Sequence, residues 1–445
     1  MKQRIQLSDH FTSGRLLRFT APSIGMMLFT SIYGVVDGFF VSNYVGKTAF
    51  AAVNLIIPYL MIIGGVGAML GVGGSALVAK TLGEGDEHRA SRYFTMMIEL
   101  MVISSVALAV LGIAILRPVG FLFGATEHMI GDVVTYGTVC LLFSLGMHAQ
   151  YTMQSYLIVA EQPKLALYIV VAAGVSNMIL DFLFMAVLRL GVVGAALATG
   201  LSQCVGGILP VLWFASKRNR SSLHFARTKL ELRPILHACG NGLSEMLSSV
   251  SGSITGILYN WQLMRHAGED GVAAYGVVMY AAFVFISVFA GYSQGSSPIM
   301  GYHFGAQNHP EMKNVLKRSL SLLAGAALIL TTAAILLARP ISTFFVGYDK
   351  KLLDMTSRAF MICATPFLIM WFNIYTSSFF TALNDGPVSA AISFMRALVL
   401  PVICILVMPA LWKLDGVWYS LVASEVLSVA VSLFFLLGKR KKYGY

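Results

Sequence analysis

The chain has 445 residues, 57% of them hydrophobic and only 11% charged, with a mean hydropathy of +0.76. That balance belongs to a membrane protein and excludes a chain built around a single water-exposed globular core. The net charge of +11 reflects topology and the anionic inner surface of a bilayer, and it makes no case for nucleic acid.

Apolar runs of about 20 residues recur at twelve places, roughly 16–42, 50–78, 93–116, 131–158, 165–188, 191–215, 235–262, 272–300, 316–338, 352–380, 388–411 and 416–438. Each is long enough to cross a bilayer as a helix, so the expected fold is an all-α integral membrane protein with twelve transmembrane helices. The first run lacks a small-residue cleavage site and reads as a retained span, not a signal peptide. With the N-terminus cytoplasmic, inner loops and ends hold 21 Lys and Arg and outer loops nine, with Arg396 inside a span. The asymmetry predicts cytoplasmic N and C termini.

In chain order, Pro22 near the start of span one removes a backbone hydrogen bond and marks a candidate hinge. Asp37 is the only acid of that span, with Tyr33 one turn before it. Span two is dense in glycine, which lets helix backbones approach closely. Its exit, Gly83-Glu84-Gly85-Asp86-Glu87-His88-Arg89, reads as a charged loop and lacks the setting of a phosphate cradle. The five cysteines show neither a disulfide framework nor a metal-ligand spacing.

The basic connection around 217–233 divides the chain near its midpoint. Residues 1–216 then form a first unit with six spans and 234–445 a second, and an offset of 222 aligns Gly46 with Gly268, Gly83 with Gly305 and Gly194 with Gly416. Six spans per half is an even number, so the halves cross in the same sense and are expected to be related by a pseudo-twofold axis along the membrane normal.

The offset carries Asp37 onto Tyr259 and Asp181 onto Ile403, so the acids belong to the first half alone. Asn177 and Asp181 in span five are four residues apart and share a helix face. An Asp at mid-helix costs roughly 2.5–3.5 kcal/mol on insertion scales and marks a functional candidate. Counting about 1.5 Å per residue from the outer span ends puts Asp37, Tyr136, Asp181 and Thr199 roughly 9–12 Å deep. Two acids in a semi-dry site do not both stay ionised without a counter-ion, so the group is a candidate coupling site for H⁺ or Na⁺, its oxygens suiting either.

In the second half, Glu245 near mid-membrane is a candidate for binding substrate or coupling ion. Gln150, Gln154, Gln294 and Asn373 are further intramembrane polar groups that could face a cavity or join helices. Arg396 and Glu425 are candidates for a buried ion pair. Aromatic residues such as Tyr280, Phe283 and Trp371, with the 23 methionines, would suit a cavity for flat apolar cations, although lipid packing accounts for them equally.

Several stretches together resemble the multidrug and toxic compound extrusion (MATE) family over essentially the whole chain. They are Pro22 and Asp37 in span one, the Gly-rich second span ending in Gly83-Glu84-Gly85-Asp86, Asn177-Met-Ile-Leu-Asp181, the run from Gly194 to Gln203, and Pro298-Ile-Met-Gly-Tyr-His-Phe-Gly305. The resemblance implies two six-helix lobes around a V-shaped cavity and an antiporter that exports small organic cations in exchange for H⁺ or Na⁺ by alternating access. Asp37, Asp181, Asn177, Thr199 and Tyr136 look like the DinF-type cation site, and Pro22 like the proline at which span one bends. Glu245 is similar instead to other branches and leaves the branch open.

The implied partners are small organic cations and membrane lipid, with no cofactor and no nucleic acid, in a chain expected to act as a monomer. A flippase for lipid-linked or polysaccharide precursors is the alternative. It is opposed by the acids and by the lack of a central Arg/Lys cluster, with Arg396 as the sole candidate. An enzyme is disfavoured because the nine His are scattered, and a channel because nothing reads as a selectivity filter.

Overall fold

The computed structural model describes residues 5–445. The side chains at 35, 39, 42, 47 and 48 fall outside the described set, as do Lys2 and Arg4 of the inner basic tally. The described chain is predominantly helical, with an irregular connection at 216–231 and no strand among the described residues. The first lobe holds α1 (Ser13–Phe40), α2 (Lys47–Gly83), α3 (Glu87–Leu122), α4 (Ile130–Leu142), α5 (Ser144–Val159), α6 (Pro163–Asp181) and α7 (Gly191–Ala215). The second holds α8 (Leu232–Gly305), α9 (His309–Val346), α10 (Lys350–Ala364), α11 (Phe367–Ala382), α12 (Gly386–Phe394) and α13 (Leu400–Gly438), with a last turn, α14 (Arg440–Tyr443).

Helix and crossing are not the same unit here. The 74 residues of α8 would stretch roughly 110 Å if straight, several bilayer thicknesses. At Gly268 the backbone takes φ 64° and ψ −150°, which folds α8 into two crossings. α13 folds back in the same way at Trp412 and Lys413. Conversely, α4 with α5 bends by 56° and α10 with α11 by 48°, and each pair makes one crossing. Eight long apolar helices, two bent pairs and the extra crossings of α8 and α13 give twelve spans among the described residues.

The helices outrun the apolar stretches. α3 and α9 begin several residues earlier than hydropathy alone indicates, because Asp86 caps the backbone N–H of Arg89 and Asn308 that of Glu311. Hydropathy marks the portion in the bilayer; the caps mark the helix.

The internal repeat is visible in the backbone. Positive φ recurs at Gly46 and Gly268, Glu161 and Asn384, Gly85 and Gln307, and Arg189 and Lys413. These partners are 222 to 224 residues apart, so the same tight turns punctuate both halves. The inter-lobe contact repeats too. A Cβ at Gly83 would overlap the carbonyl oxygen of Tyr302, and a Cβ at Gly305 would overlap that of Lys80, which is the same contact seen from the other half. Glycine is required at both positions because two backbones meet there without side chains between them.

Those contacts lie at one end of the molecule. A continuous apolar core joins the second lobe to the half of the first that carries Phe11, Phe19, Leu77, Phe94 and Tyr156. The opposite half of the first lobe has a core of its own, around Val53, Ile56, Tyr59, Val133 and Ala195, which holds only first-lobe residues. The lobes are thus zipped together at the end bearing the termini and separate towards the other. Residues 5–12 reinforce the zipped end, since Leu7 N–H donates to Glu161 of the first lobe at 2.8 Å and Phe11 N–H to Glu311 of the second at 2.8 Å. The segment after Ala215 is ordered along α3, where His224 and Ala226 N–H groups donate to Ser91 and Thr95 hydroxyls.

Candidate functional site

Asp37 and Asp181 meet because two helices touch at a glycine. A Cβ at Gly174 of α6 would overlap the Phe29 ring and lie 3.1 Å from that of Tyr33, so α1 packs directly on the α6 backbone. Gly174, Asn177 and Asp181 follow helical spacing on one face, and Tyr33 and Asp37 share a face of α1. The contact therefore turns both acids inward, and their carboxyl groups lie side by side within hydrogen-bonding reach. Asp181 is fully buried and Asn177 is 2% exposed.

Two ionised carboxylates offer acceptors only, so neither can satisfy the other. Asp37 Oδ1, both Asp181 oxygens, Asn177 Oδ1 and Thr199 Oγ1 are enclosed without a hydrogen-bond partner. Orphaned acceptors grouped this way are uncommon in a settled core and suit a proton or a small hard cation. Tyr136 of α4 lies beside Thr199 and Cys140 and within electrostatic reach of Asp37. The shared depth of these groups is thus a shared site.

Both acidic helices change winding just past their acids. α1 passes into a π-helical turn at Val41–Val45, and α6 into another at Phe182–Val187. Such turns are rare and collect at functional sites, because the widened ring leaves backbone able to repack. Around Pro22, by contrast, α1 runs unbroken.

The other polar candidates divide. Gln150 belongs with the first-lobe group, beside Tyr33, with Gly206 of α7 leaving room for it. Gln154 is buried in α5, and neither residue lines the cavity between the lobes. Glu245, Gln294 and Asn373 do line it, a space of about 240 Å³ reached also by Met27, Val72 and Ser155 of the first lobe. Glu245 is open to this space and makes no ion pair among the described residues. Asn373 is already committed, donating to Glu425 at 2.8 Å and accepting from the Ser432 hydroxyl at 2.8 Å. Arg396 and Glu425 form the expected ion pair at 2.9 Å.

Two features escaped the sequence reading. Tyr33 joins the first-lobe site, signalled only by its position one turn before Asp37. The cavity is also hydroxyl-rich, eight of its 19 lining residues being serines, and no described lining residue is aromatic. Tyr280 and Phe283 are exposed on the second lobe and do not line the cavity, which leaves lipid packing, the second of the two readings given for such rings.

Known proteins share this architecture. The multidrug export protein MepA of Staphylococcus aureus is 22% identical over 440 residues, covering 96% of this chain and 94% of its own length. A MATE transporter crystallised in complex with MaL6 superposes with a TM-score of 0.92 at 22% identity, over 100% of this chain and 99% of that one. An outward-facing multidrug resistance MATE family transporter of the MOP superfamily also superposes at 0.92 and 22% identity, over 100% and 98%. The MatE family profile matches residues 22–183 and 243–406, stretches that start 221 residues apart and end 223 apart. With one profile laid over each copy of the repeated unit, and more than half of the sequence covered, the chain belongs to the MatE family of membrane transporters.

Proposed function

We propose that this transporter is a secondary active multidrug efflux antiporter that expels small organic cations across the cytoplasmic membrane in exchange for H⁺ or Na⁺. The observation that carries the reading is the Asp37–Asp181 pair, with five oxygen atoms of the group left without partners. The two carboxylates and the Asn177 amide oxygen present acceptors only, and a proton or sodium ion supplies positive charge that they lack. The names of the curated relatives, multidrug export proteins, support the direction and breadth of transport.

The division of labour follows the lobes. Residues 1–216 hold the ion, 217–233 join the halves, and 234–445 contribute most of the drug cavity, with both termini cytoplasmic. The cleft then opens outward, an ion neutralises Asp37 and Asp181, and the repacking of spans one, five and six around their π turns favours drug release and return to the inward-open state. Ion and drug need only prefer opposite states. Flipping of a lipid-linked precursor is less well supported, because Arg396 is the only Lys or Arg among the described residues lining the cavity and its charge is offset by Glu425.

The test is flux of a fluorescent lipophilic cation from liposomes under an imposed pH gradient and, separately, a sodium gradient. Asp37→Asn and Asp181→Asn should each abolish gradient-driven flux by a folded protein that still binds the dye. Wild-type flux in both variants would remove the assignment.

A further inference from the structure

At the end bearing the termini, one half of the repeat fills a space that the other half leaves open. In the second half the last turn packs a phenol there. Tyr443 is 7% exposed, and its hydroxyl donates at 2.5 Å to Asp385, in the turn between α11 and α12. Its ring meets that of Phe304 edge to face, with centroids 5.7 Å apart, and Lys442 Nζ lies 4.7 Å above it. Gly444 follows, so near His309 that a Cβ would come within 2.8 Å of the ring Nδ1.

The 222-residue offset carries Lys442, Tyr443 and Gly444 back to Arg220, Ser221 and Ser222, and carries Phe304 and His309 back to Leu82 and Glu87. The first half repeats the contact, since Ser222 Oγ donates to Glu87 at 2.9 Å where Gly444 meets His309 in the second. What the first half lacks is the ring. Serine stands there in place of Tyr443, and Leu82, Glu87 and residues 220–222 line a cavity of about 260 Å³. Glu161 lines it too, from the α5–α6 turn whose positive φ matches that of Asn384 beside Asp385.

We infer that this cavity is a binding site for small phenols, the ring taking the position that the Tyr443 ring holds in the other half, against Arg220, and the hydroxyl donating to Glu161. A phenol supplies a flat face to a guanidinium and an O–H to a carboxylate, the two contacts that Lys442 and Asp385 make with Tyr443. Gln6 and Ser8 of the strap and Tyr302 of α8 complete the wall. A ligand seated there touches the strap and both lobes, so the site exists only while the lobes are zipped. It shares no lining residue with the cavity of Glu245 and Arg396, and it concerns a ligand other than the exported one.

The probes are N-acetyl-tyrosinamide and N-acetyl-phenylalaninamide, which differ by the phenol hydroxyl alone. Binding of each to the purified full-length protein in nanodiscs is read by isothermal titration calorimetry. The tyrosine compound should bind about tenfold more tightly, the worth of one hydrogen bond to a carboxylate. Glu161→Gln, which keeps an acceptor for Leu7 N–H, should erase most of that difference. Arg220→Ala, at an exposed position, should weaken both compounds about threefold. Ser221→Tyr supplies the ring from within and should abolish binding of both. Should that variant not fold, the Glu161 and Arg220 variants decide alone. Equal affinity of wild type for the two compounds, or a hydroxyl preference and affinity left intact by Glu161→Gln and Arg220→Ala, overturns the phenol site.

Discussion

The zipped end of the molecule rests on backbone contacts, so one methyl group should shift its equilibrium. Gly291 on α8 is packed so closely that a Cβ would lie 2.6 Å from Ile24 Cα, 2.8 Å from Ser23 O and 3.0 Å from Ile24 N, all on α1. None of these atoms can rotate away. Moving Ile24 from 2.6 Å to the 3.4 Å where ordinary contact begins requires α1 and α8 to part by about 0.8 Å. Overpacking of this kind costs about 1–3 kcal/mol, and only in the state where the two helices touch. Gly291→Ala should therefore move the balance between the zipped state and its opposite by roughly 5–150-fold. Spin labels at His88 and Lys313, both exposed and on different lobes, would report the change as a new long-distance population. Gly325→Ala in α9 is the control, since nothing lies within 4 Å of its added Cβ. An unchanged distance distribution in Gly291→Ala, or the same change in the control, refutes the claim that this contact holds the lobes together.

Two further perturbations address the strap and the acid pair. Glu311 accepts from Phe11 N–H and Asn314 at 2.8 Å each and pairs with His10 at 2.7 Å, so Glu311→Ala should free residues 5–12 at a cost of about 2–4 kcal/mol. Faster hydrogen exchange confined to that segment is the expected result, and unchanged protection there contradicts it. Gly174→Val should push α1 off α6 and part Asp37 from Asp181, cutting gradient-driven flux while dye binding in the second-lobe cavity persists; flux at the wild-type rate would show that the acids need not touch.

How much of this was legible depended on whether the feature is local. Span count and the 222-residue offset follow from hydropathy and turn glycines, which act over a few residues, and both appear in the structure as reversals with positive φ. The depth of Asp37, Asp181, Tyr136 and Thr199 was readable because helical rise is constant. Their facing was not, because it is set by the Gly174 contact, and glycine in a span looks the same whether it meets lipid or a neighbouring ring. The 56° bend of span four lies at Phe143 and Ser144, without a proline to announce it, and is imposed where the Phe143 ring packs over Gly200. Large polar side chains drew attention to Gln150, which stands beside Tyr33 in the first-lobe group, and to Gln154, buried in α5, while the cavity is built from serines that are individually unremarkable in a helix.

The repeat and its violations divide the work of the protein. The 222-residue offset exchanges the Gly83–Tyr302 contact with the Gly305–Lys80 contact, so the interface between the lobes is symmetric about the repeat. The same offset turns Asp37 into Tyr259, whose hydroxyl accepts from Ser420 at 3.0 Å and wants no ion. A symmetric joint stores no preference of its own; the bias must come from groups present in one half only. In the first lobe these are the two acids, which in the proposed antiport act on α1 and α6 through the π turns beside them. In the second they are Glu245 and the Arg396–Glu425 pair, facing a cavity that α1 also lines through Met27. α1 is thus the element common to the acid pair, the cavity and the zipped interface, so a change in its packing reaches all three, which is what the proposed exchange of one ligand for another requires.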